Sequence, residues 1–499
     1  MANHPNAEFN VVICGLGPTG ATLANLLAKC GLKVLALERE KDIYPLPRAV
    51  HCDDEVMRVL QWIDVADVFS EQVFINRGMR FVDYEGNVLL DWPRPQHISD
   101  NGWHPSYRFH QPDLEKLLCC ALRRHPSVDV VLGALVEEIV EDDASVTIRY
   151  RTAGGAHYAT AAYLVGCDGA RSKTRQVMNS SMQRLGFEQR WLVMDLLLKR
   201  PMPELGDFTL QFCDPEHPAT YCRNVGDRRR WEFALNANQD DDEMMRPEQA
   251  WQLLSRWITP DDALLERQTI YTFKSEVADT WRRGRLMVAG DAAHLTPPFM
   301  GQGMCAGIRD VANLAWKIAD VCHGRAEPGL LDTYESERKP HAIKYIETAV
   351  ELGELVNRMG KAVAGSRRYG EDAPRMKSLD IRLGPGLGSM EDPNRGKLFP
   401  QPALASGQRM DDATGYASLL ILDGEYMPDL GSATITALDT RDEPALHSVL
   451  NDLGTASVLL RPDRYILSSA PRSEGAENDG SIWTHFSSTP GGELINGWI

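Results

Sequence analysis

The N-terminal part of the chain alternates between short apolar runs and one amphipathic segment. Residues 11–14 and 33–37 are almost wholly apolar, and the first of these runs ends at a glycine, which predicts two buried strands. Between them, leucines at positions 23, 26 and 27 fall on one helix face that ends near Gly31. This order predicts a strand–turn–helix–strand unit of the kind that builds parallel sheets.

Similar patterns return farther along the chain. Residues 111–124 carry a stripe of leucines behind an early proline, which predicts an amphipathic helix. Apolar runs at 163–166 and 286–289 predict two further buried strands, and helical periodicity covers 306–322 and 340–360. Together these elements predict an α/β fold.

The stretch from about residue 181 to 280 has a different character. Its short runs FTLQFC, ATYCRNV and RRRWEFALN are separated by proline, glycine and aspartate, which predicts antiparallel strands in a separate lobe. The acidic run at 240–243 is predicted to be a solvated loop. Beyond residue 361, apolar runs at 418–422 and 457–461 predict a small α/β appendage, followed by a final thirty residues that are mostly loop.

Composition limits the kinds of function that the chain can have. It has 53 lysine and arginine residues against 70 aspartate and glutamate residues, and its formal net charge of −17 argues against nucleic-acid binding. No apolar run is long enough to predict a membrane span, and residues 1–10 lack the basic start of a signal peptide. The ten cysteines form no C-x-x-C pair, so we expect reduced thiols in a cytoplasmic protein and no structural metal site.

A glycine-rich segment, Gly15-Leu-Gly17-Pro-Thr-Gly20, links the first predicted strand to the first helix. Glycines permit a tight turn in this position, and backbone N–H groups together with the helix dipole can hold a pyrophosphate. Glu38 ends the following strand, where a carboxylate can accept hydrogen bonds from ribose hydroxyl groups. The segment therefore predicts a dinucleotide site.

Two further glycine-bearing turns follow predicted strands. The segment that begins at Asp168 indicates either a ligand-binding sheet edge or a simple Asp-Gly turn. In the third segment, Asp291 can accept hydrogen bonds from the hydroxyls of a polyol chain, and residues 301–303 offer free N–H groups ahead of a helix. His294 belongs to this third motif and is expected to be structural.

Taken together and in this order, the three turns resemble those of the FAD-dependent aromatic hydroxylases, the group of para-hydroxybenzoate and phenol hydroxylases. The resemblance covers roughly residues 8–350. It implies that the first turn and Glu38 bind the ADP half of FAD, that Asp168 belongs to a motif linked to both FAD and NAD(P)H, and that Asp291 holds the ribityl chain. The residues to which the motifs assign cofactor contacts are Gly15, Gly17, Pro18, Thr19, Gly20, Glu38, Arg39, Arg48, Gln111, Val136, Asp168, Asp291, Pro298, Gly301, Gly303 and Met304.

A closer resemblance is to the 3-(3-hydroxyphenyl)propionate hydroxylase branch. It rests on RAVHCDDEVMRVLQ at 48–61, on HQPDLE at 110–115 and on GDAAHLTPPFMGQGMCAGIRDVANLAWKI at 290–318. Cys305 departs from the pattern, since the family usually has asparagine there, beside the expected flavin edge. The region after residue 400 resembles the degenerate thioredoxin-like tail of these enzymes and is expected to be structural or oligomeric.

With this resemblance, the expected fold is α/β: a Rossmann-like FAD-binding domain, an inserted antiparallel-sheet substrate lobe and a small thioredoxin-like C-terminal appendage. The FAD-binding domain is assigned to residues 1–180, with a short strand excursion to the lobe near 75–100, and to residues 281–360. The substrate lobe is assigned to residues 181–280, and the linker and appendage to residues 361–499.

The resemblance also implies the reaction. NAD(P)H reduces FAD, O2 adds at flavin C4a, and the resulting hydroperoxide transfers hydroxyl to a phenol ring. A hydroxyphenyl acid is the branch's usual type of substrate, while resorcinols, hydroxypyridines and polyketide phenols stay open. A halogenase or reductase of the same fold and a non-enzymatic flavoprotein also stay open as alternative functions. A homodimer stays open as the assembly.

Three residues are candidates for the partner of the substrate hydroxyl. Tyr221 and Arg223 alternate on a predicted strand of the lobe and therefore share a face. His51 follows the Arg48 segment, which is expected near the flavin. For each of the three, a packing or surface role is an equally good interpretation.

Overall fold

The computed structural model of the protein describes residues 7–214, 217–364, 381–423 and 435–470. In these ranges, the helices are α1 (Pro18–Lys29), α2 (Asp54–Trp62), α3 (Ala66–Ser70), α4 (Gln111–Leu122), α5 (Lys173–Val177), α6 (Asp241–Met244), α7 (Pro247–Leu254), α8 (Gly303–Cys322), α9 (Asp332–Ala364), α10 (Met410–Thr414) and α11 (Pro444–Asp452). None of these described helices combines the length and the apolar character that crossing a membrane requires.

The described strands belong to four sheets. They are β1 (Phe9–Cys14), β2 (Val34–Glu38), β3 (His51–Asp53), β4 (Phe74–Ile75), β5 (Gly78–Val82), β6 (Val88–Pro93), β7 (Ser106–Arg108), β8 (Val128–Leu132), β9 (Leu135–Glu141), β10 (Val146–Thr152), β11 (Gly155–Gly166), β12 (Met182–Leu198), β13 (Thr209–Phe212), β14 (Ala219–Arg223), β15 (Arg228–Ala234), β16 (Ala263–Ala278), β17 (Arg282–Arg283), β18 (Leu286–Val288), β19 (His294–Leu295), β20 (Ser418–Leu422), β21 (Ile435–Asp439), β22 (Ser457–Leu460) and β23 (Ile466–Ala470).

The first large sheet contains the N-terminal strand–turn–helix–strand unit. Its main path runs β17-β18-β11-β1-β2-β8, and β18, β11, β1, β2 and β8 are parallel. β9 and β10 extend β11 as an antiparallel hairpin. β1 and β2 are almost fully buried, as their continuous apolar sequences predict.

The second large sheet is mostly antiparallel, in the order β19-β16-β12-β15-β14-β13-β5-β6. Its β5 and β6 come from the excursion between β4 and β7, and β5 pairs in parallel with β13. On one face, Tyr221 and Trp231 share an apolar cluster with Leu254 of α7. On the other face, Arg230 donates to the carbonyl oxygen of Arg48 at 2.9 Å, so this face looks toward the first domain.

Two smaller sheets complete the fold. β3, β7 and β4 form a three-stranded antiparallel sheet, and the C-terminal region has the mixed sheet β21-β20-β22-β23 with α11. The predicted α/β architecture with an antiparallel lobe and a small C-terminal α/β appendage is confirmed. The domain boundaries themselves stay a prediction.

Buried ion pairs join the appendage to the first domain. The guanidinium groups of Arg58 on α2 and Arg464 contact Asp411 with N–O distances of 2.5 and 2.7 Å. Arg461 donates to Glu337 of α9 at 2.8 Å, and all five side chains are at most 2 % exposed. The appendage is therefore anchored by charges that water does not reach.

One local prediction is wrong, and another cannot be compared with the structure. The acidic run forms the one-turn helix α6 because the Asp240 side chain accepts the backbone N–H of Glu243 at 3.0 Å. Such a cap offsets the repulsion among the acidic residues, which remain exposed. The final thirty residues, except Ala470, lie outside the described residues.

Candidate active site

The three glycine-bearing turns meet at one edge of the first large sheet. β1, β11 and β18 are adjacent and parallel, so the turns that follow them emerge side by side. Two backbone hydrogen bonds tie the strand ends together, from Cys167 N to Cys14 O at 2.8 Å and from Ala289 N to Gly166 O at 3.0 Å. The carboxyl edge of a parallel sheet is the usual ligand site of such folds.

The first turn requires glycine at two positions and leaves space at a third. Gly15 has a φ of +93°, and a Cβ there would overlap the Cys167 carbonyl oxygen. A Cβ at Gly20 would overlap the carbonyl oxygen of Gly15. Apart from its chain neighbours, no atom of the described residues lies within 4 Å of a Cβ built at Gly17, the residue that caps the start of α1. The open space before the first N–H groups of α1 fits a diphosphate.

Glu38 braces this turn from the end of β2. Its carboxylate accepts the N–H of Leu16 at 2.7 Å and that of Glu40 at 3.0 Å. Ala134, in the turn before the half-buried Val136, donates to the Glu38 carbonyl oxygen at 2.8 Å. Arg39 is exposed and pairs with Glu40, and the ribose and adenine contacts of this region stay predictions.

Asp168 and Asp291 have different surroundings. One oxygen of Asp168 accepts the N–H groups of Lys173 and Thr174 at 2.7 and 3.1 Å and so braces the start of α5, while its other oxygen is buried without a described partner. Asp291 is accessible to solvent and makes no hydrogen bond or ion pair with the described residues. Protein atoms nevertheless crowd it, and burial raises its pKa. Asp291 therefore lies in a cleft that is open to solvent, where a polyol ligand could bind it.

We expect Asp291→Ala to weaken FAD binding by about 10- to 100-fold, the loss of one or two hydrogen bonds to a charged acceptor. Because the Asp291 side chain makes no hydrogen bond or ion pair with the described residues, the thermal unfolding midpoint of the apoprotein should stay unchanged. Fluorescence titration of the apoprotein with FAD measures the affinity. Asp168→Ala is the contrasting variant, since it should lower both affinity and stability, and unchanged FAD affinity in Asp291→Ala would contradict the assignment.

The third motif continues into a turn at residues 301–303, here named the GQG turn. Gly301 has a φ of +65°, and its carbonyl oxygen lies 3.3 Å from Nδ1 of His51. Gly303 begins α8, and a Cβ built there meets no atom of the described residues within 4 Å beyond its chain neighbours and its own helix, which leaves open space before the helix N-terminus. Pro298 and Met304 are half-buried on either side of the turn. An anionic group could be stabilised at this helix start.

A charged network holds the GQG turn from behind. The amide of Gln302 donates to Asp53 at 3.1 Å and accepts from Arg309 at 3.0 Å. Arg309 also contacts Asp53 and Glu55, and Glu55 accepts the hydroxyl of Tyr465 at 2.7 Å. The appendage is thus connected to the turn through the side chains of Tyr465, Glu55 and Arg309, of which Glu55 is half-buried.

The Arg48 segment is held from two sides. The Gln111 side-chain oxygen accepts the N–H groups of Arg48 and Ala49 at 3.1 and 2.6 Å, so its amide positions this loop. From the second large sheet, Arg230 donates to the carbonyl oxygen of Arg48 at 2.9 Å, and Arg267 to that of Pro47 at 2.7 Å. The Arg48 side chain itself is exposed, and its flavin contact stays a prediction.

The geometry supports none of the three substrate candidates. His51 uses both ring nitrogens, on Gly301 O and on Ser106 Oγ at 2.8 Å, and burial lowers its pKa to about 3, so it is a neutral positioning residue. Tyr221 lies on the sheet face away from the cleft, where its ring centroid is 4.8 Å from that of Trp231. Arg223 forms an ion pair with Asp207 at 2.6 Å. Tyr221 and Arg223 alternate along β14, and Tyr221 packs on the face that carries α7, opposite to the face of Arg230.

The opposite face of the second sheet carries an apolar cluster beside the GQG turn. The rings of Phe187 and Trp191 meet that of Phe299 edge to face, at centroid distances of 5.3 and 5.8 Å. A single residue, Met300, separates Phe299 from the GQG turn. The name apolar cluster refers here to the buried residues Phe81, Trp92, Trp191, Phe299, Leu352 and Val356.

Sequence reasoning missed the charged residues of this face. Asp195 accepts from Arg230 at 2.8 Å, and both are buried. A signal was present, since Arg230 and Glu232 alternate with the apolar Trp231 and Phe233 along β15, which indicates a polar stripe on one face.

These features define a flavoprotein. The open space at Gly17 and Gly303 fits the phosphates and the flavin edge of FAD. The carboxylate of Asp291, which has no hydrogen bond to the part of the chain that the structure describes, fits the ribityl chain. A sequence profile described as "FAD binding domain" matches residues 8–349, and the chain belongs to this family. It is an FAD-dependent aromatic hydroxylase that uses NAD(P)H as co-substrate.

Particular relatives support this class. The chain is 37% identical over 426 residues to the probable NADH-specific resorcinol 4-hydroxylase of Rhodococcus jostii, covering 83% of this chain and 79% of the relative. It is 38% identical over 360 residues to a 3-(3-hydroxy-phenyl)propionate/3-hydroxycinnamic acid hydroxylase of Burkholderia vietnamiensis, covering 71% of this chain and 64% of the relative. A crystal structure of aklavinone-11 hydroxylase with FAD and aklavinone has the same fold, with a TM-score of 0.80 at 22% identity and 99% coverage of both chains.

Proposed function

We propose that this chain hydroxylates a single-ring phenol of the hydroxyphenyl-acid type with NADH as the reductant. The observation that carries the proposal is the apolar cluster, which lies beside the GQG turn. A cluster of aromatic and branched side chains suits one aromatic ring and keeps water away from the reacting atoms. The named substrates of the two relatives, a resorcinol and a hydroxyphenylpropionate, are both single-ring phenols.

The bound FAD supplies the transfer of one oxygen atom from O2 to the ring. The protein's own residues bind and orient the reactants. The start of α8 at Gly303 stabilises negative charge, and Gln302, held by Asp53 and Arg309, fixes the geometry of this turn. His51, neutral and buried, supports the same turn through the carbonyl group of Gly301.

A panel of phenols tests this function. We expect purified holoenzyme to convert 3-(3-hydroxyphenyl)propionate to a catechol with nearly one product molecule for each NADH consumed, and to use resorcinol less efficiently. Product chromatography is needed beside NADH absorbance, because uncoupled turnover releases peroxide without hydroxylation. NADH consumption that yields only peroxide with every phenol would contradict the proposal.

A cytoplasmic location is part of the same proposal. All ten cysteines are free thiols, which fits the reducing cytoplasm where NADH is available. A homodimer stays a prediction.

A further inference from the structure

Two arginines near the GQG turn lack a carboxylate partner among the described residues. Arg108 on β7 is 7 % exposed; it donates to Thr209 through Nη2, and its Nε has no hydrogen-bond partner in the described ranges. Arg94 follows β6, and its guanidinium lies 4.4 Å from the ring centroid of Trp92. Neither side chain forms an ion pair within the described ranges, unlike the buried Arg58, Arg230 and Arg309.

Nearby carboxylates are engaged elsewhere. Asp53 is held by Arg309 and Gln302, and Asp54 accepts from Ser99 and Asn101 at 2.5 and 3.1 Å. Burial lowers the pKa of Arg94; the charges of Asp53 and Asp54 oppose this effect, and the charge of Arg108 adds to it. Like charges that share a poorly hydrated site destabilise the fold unless an anion joins them. The two guanidinium groups are therefore available to a ligand.

The position of the pair connects the GQG turn with the apolar cluster. Arg108 lies directly opposite His51 in the β3–β7 pair, so both side chains project from the same face, and His51 contacts Gly301. Thr209, the partner of Arg108, is in register with Met79, which is in register with Trp92 of the apolar cluster. An acidic phenol whose ring packs on that cluster would have its acid group near the arginines.

We propose that Arg94 and Arg108 form the subsite that binds the carboxylate of an acidic phenol. Guanidinium groups suit this ligand because their planar donors match the two oxygens of a carboxylate. The subsite rests on the proposed function, and it makes the enzyme select a hydroxyphenyl acid over an uncharged phenol such as resorcinol.

Calorimetric titration of the oxidised holoenzyme, without NADH, tests the subsite. The probes are 3-(3-hydroxyphenyl)propionate and 3-propylphenol, which has a similar shape but no charge. We expect Arg94→Gln to raise the Kd of the acid about 10- to 100-fold, the loss of hydrogen bonds between charged groups, and to leave the Kd of 3-propylphenol unchanged. Arg94→Lys keeps the charge and should restore part of the affinity.

Arg80→Gln is the matched control, because Arg80 also stacks on an aromatic ring, Phe208, but forms an ion pair with Asp91. It should change neither Kd. Equal weakening of both probes by Arg94→Gln, or a wild-type enzyme that does not prefer the acid, would overturn the subsite. If the acid binds selectively but no phenol is hydroxylated, the proposed function fails while the subsite stands.

Discussion

Gly17→Ala is expected to fold like the wild type and to lose about 100-fold or more in FAD affinity. The backbone at Gly17 has a φ of −65°, which alanine adopts readily, and the added Cβ meets none of the described residues within 4 Å beyond its chain neighbours. The methyl group would instead occupy the space before the first N–H groups of α1, where the diphosphate would otherwise make charge-assisted hydrogen bonds worth about 1.5–3 kcal/mol each. Fluorescence titration of the apoprotein measures the affinity, and thermal unfolding measures the fold.

Two control variants distinguish a loss of cofactor contacts from damage to the fold. Gly329→Ala adds a methyl group at another open position and should change neither FAD affinity nor unfolding. Gly20→Ala should instead damage the fold, because its Cβ would overlap the carbonyl oxygen of Gly15. If Gly17→Ala retained wild-type FAD affinity, the diphosphate could not lie in this space.

Glu337→Ala is expected to lower the free energy of unfolding by about 3–5 kcal/mol, the usual cost of leaving buried charges without their partner. The Glu337 carboxylate accepts from Lys317, Asn313 and Arg461, at 2.7, 3.0 and 2.8 Å. It also accepts the N–H of Leu387 at 3.0 Å. Its loss would leave the buried Lys317 without its ion-pair partner, while Arg461 would keep its ion pair with Asp463 at 2.5 Å. Denaturant unfolding measures the effect.

The pH dependence of the free energy of unfolding should show the contribution of the Glu337 carboxylate. Burial alone raises the pKa of Glu337, but the charges of Arg461 and Lys317 outweigh it and lower the pKa to about 2, from an ordinary value of 4.5. Its contribution to stability is therefore complete above pH 4.5 and is lost as the pH falls toward 2. Glu337→Ala should flatten the stability profile in that window.

Glu354→Gln on the same helix is the control. Glu354 pairs with Arg358 on the surface at 3.5 Å, and both side chains are more than 60 % exposed, at 62% and 65%. An exposed pair of this kind contributes less than about 1 kcal/mol. A Glu337→Ala protein as stable as this control would show that the buried network does not anchor the appendage.

Local sequence determined the nucleotide-binding half of the protein. The apolar run 11–14, the glycines at 15, 17 and 20, and Glu38 act within one short segment, so their spacing alone predicts the strand, the turn and the helix. The strand at 418–422 was likewise predicted to the residue, because a buried strand needs a continuous apolar run.

Only the tertiary structure decided which side of the lobe forms the cleft. Alternation places Tyr221 and Arg223 on one face, but a period of two cannot say which face meets the first domain, and the packing of α7 turned Tyr221 away. Arg94 follows β6 and Arg108 lies on β7, both far from Gly301 along the chain. The pairing of the strands brings them near the GQG turn, where we propose the anion subsite. Charge compensation depends on distances in space, and those distances are absent from the order of residues.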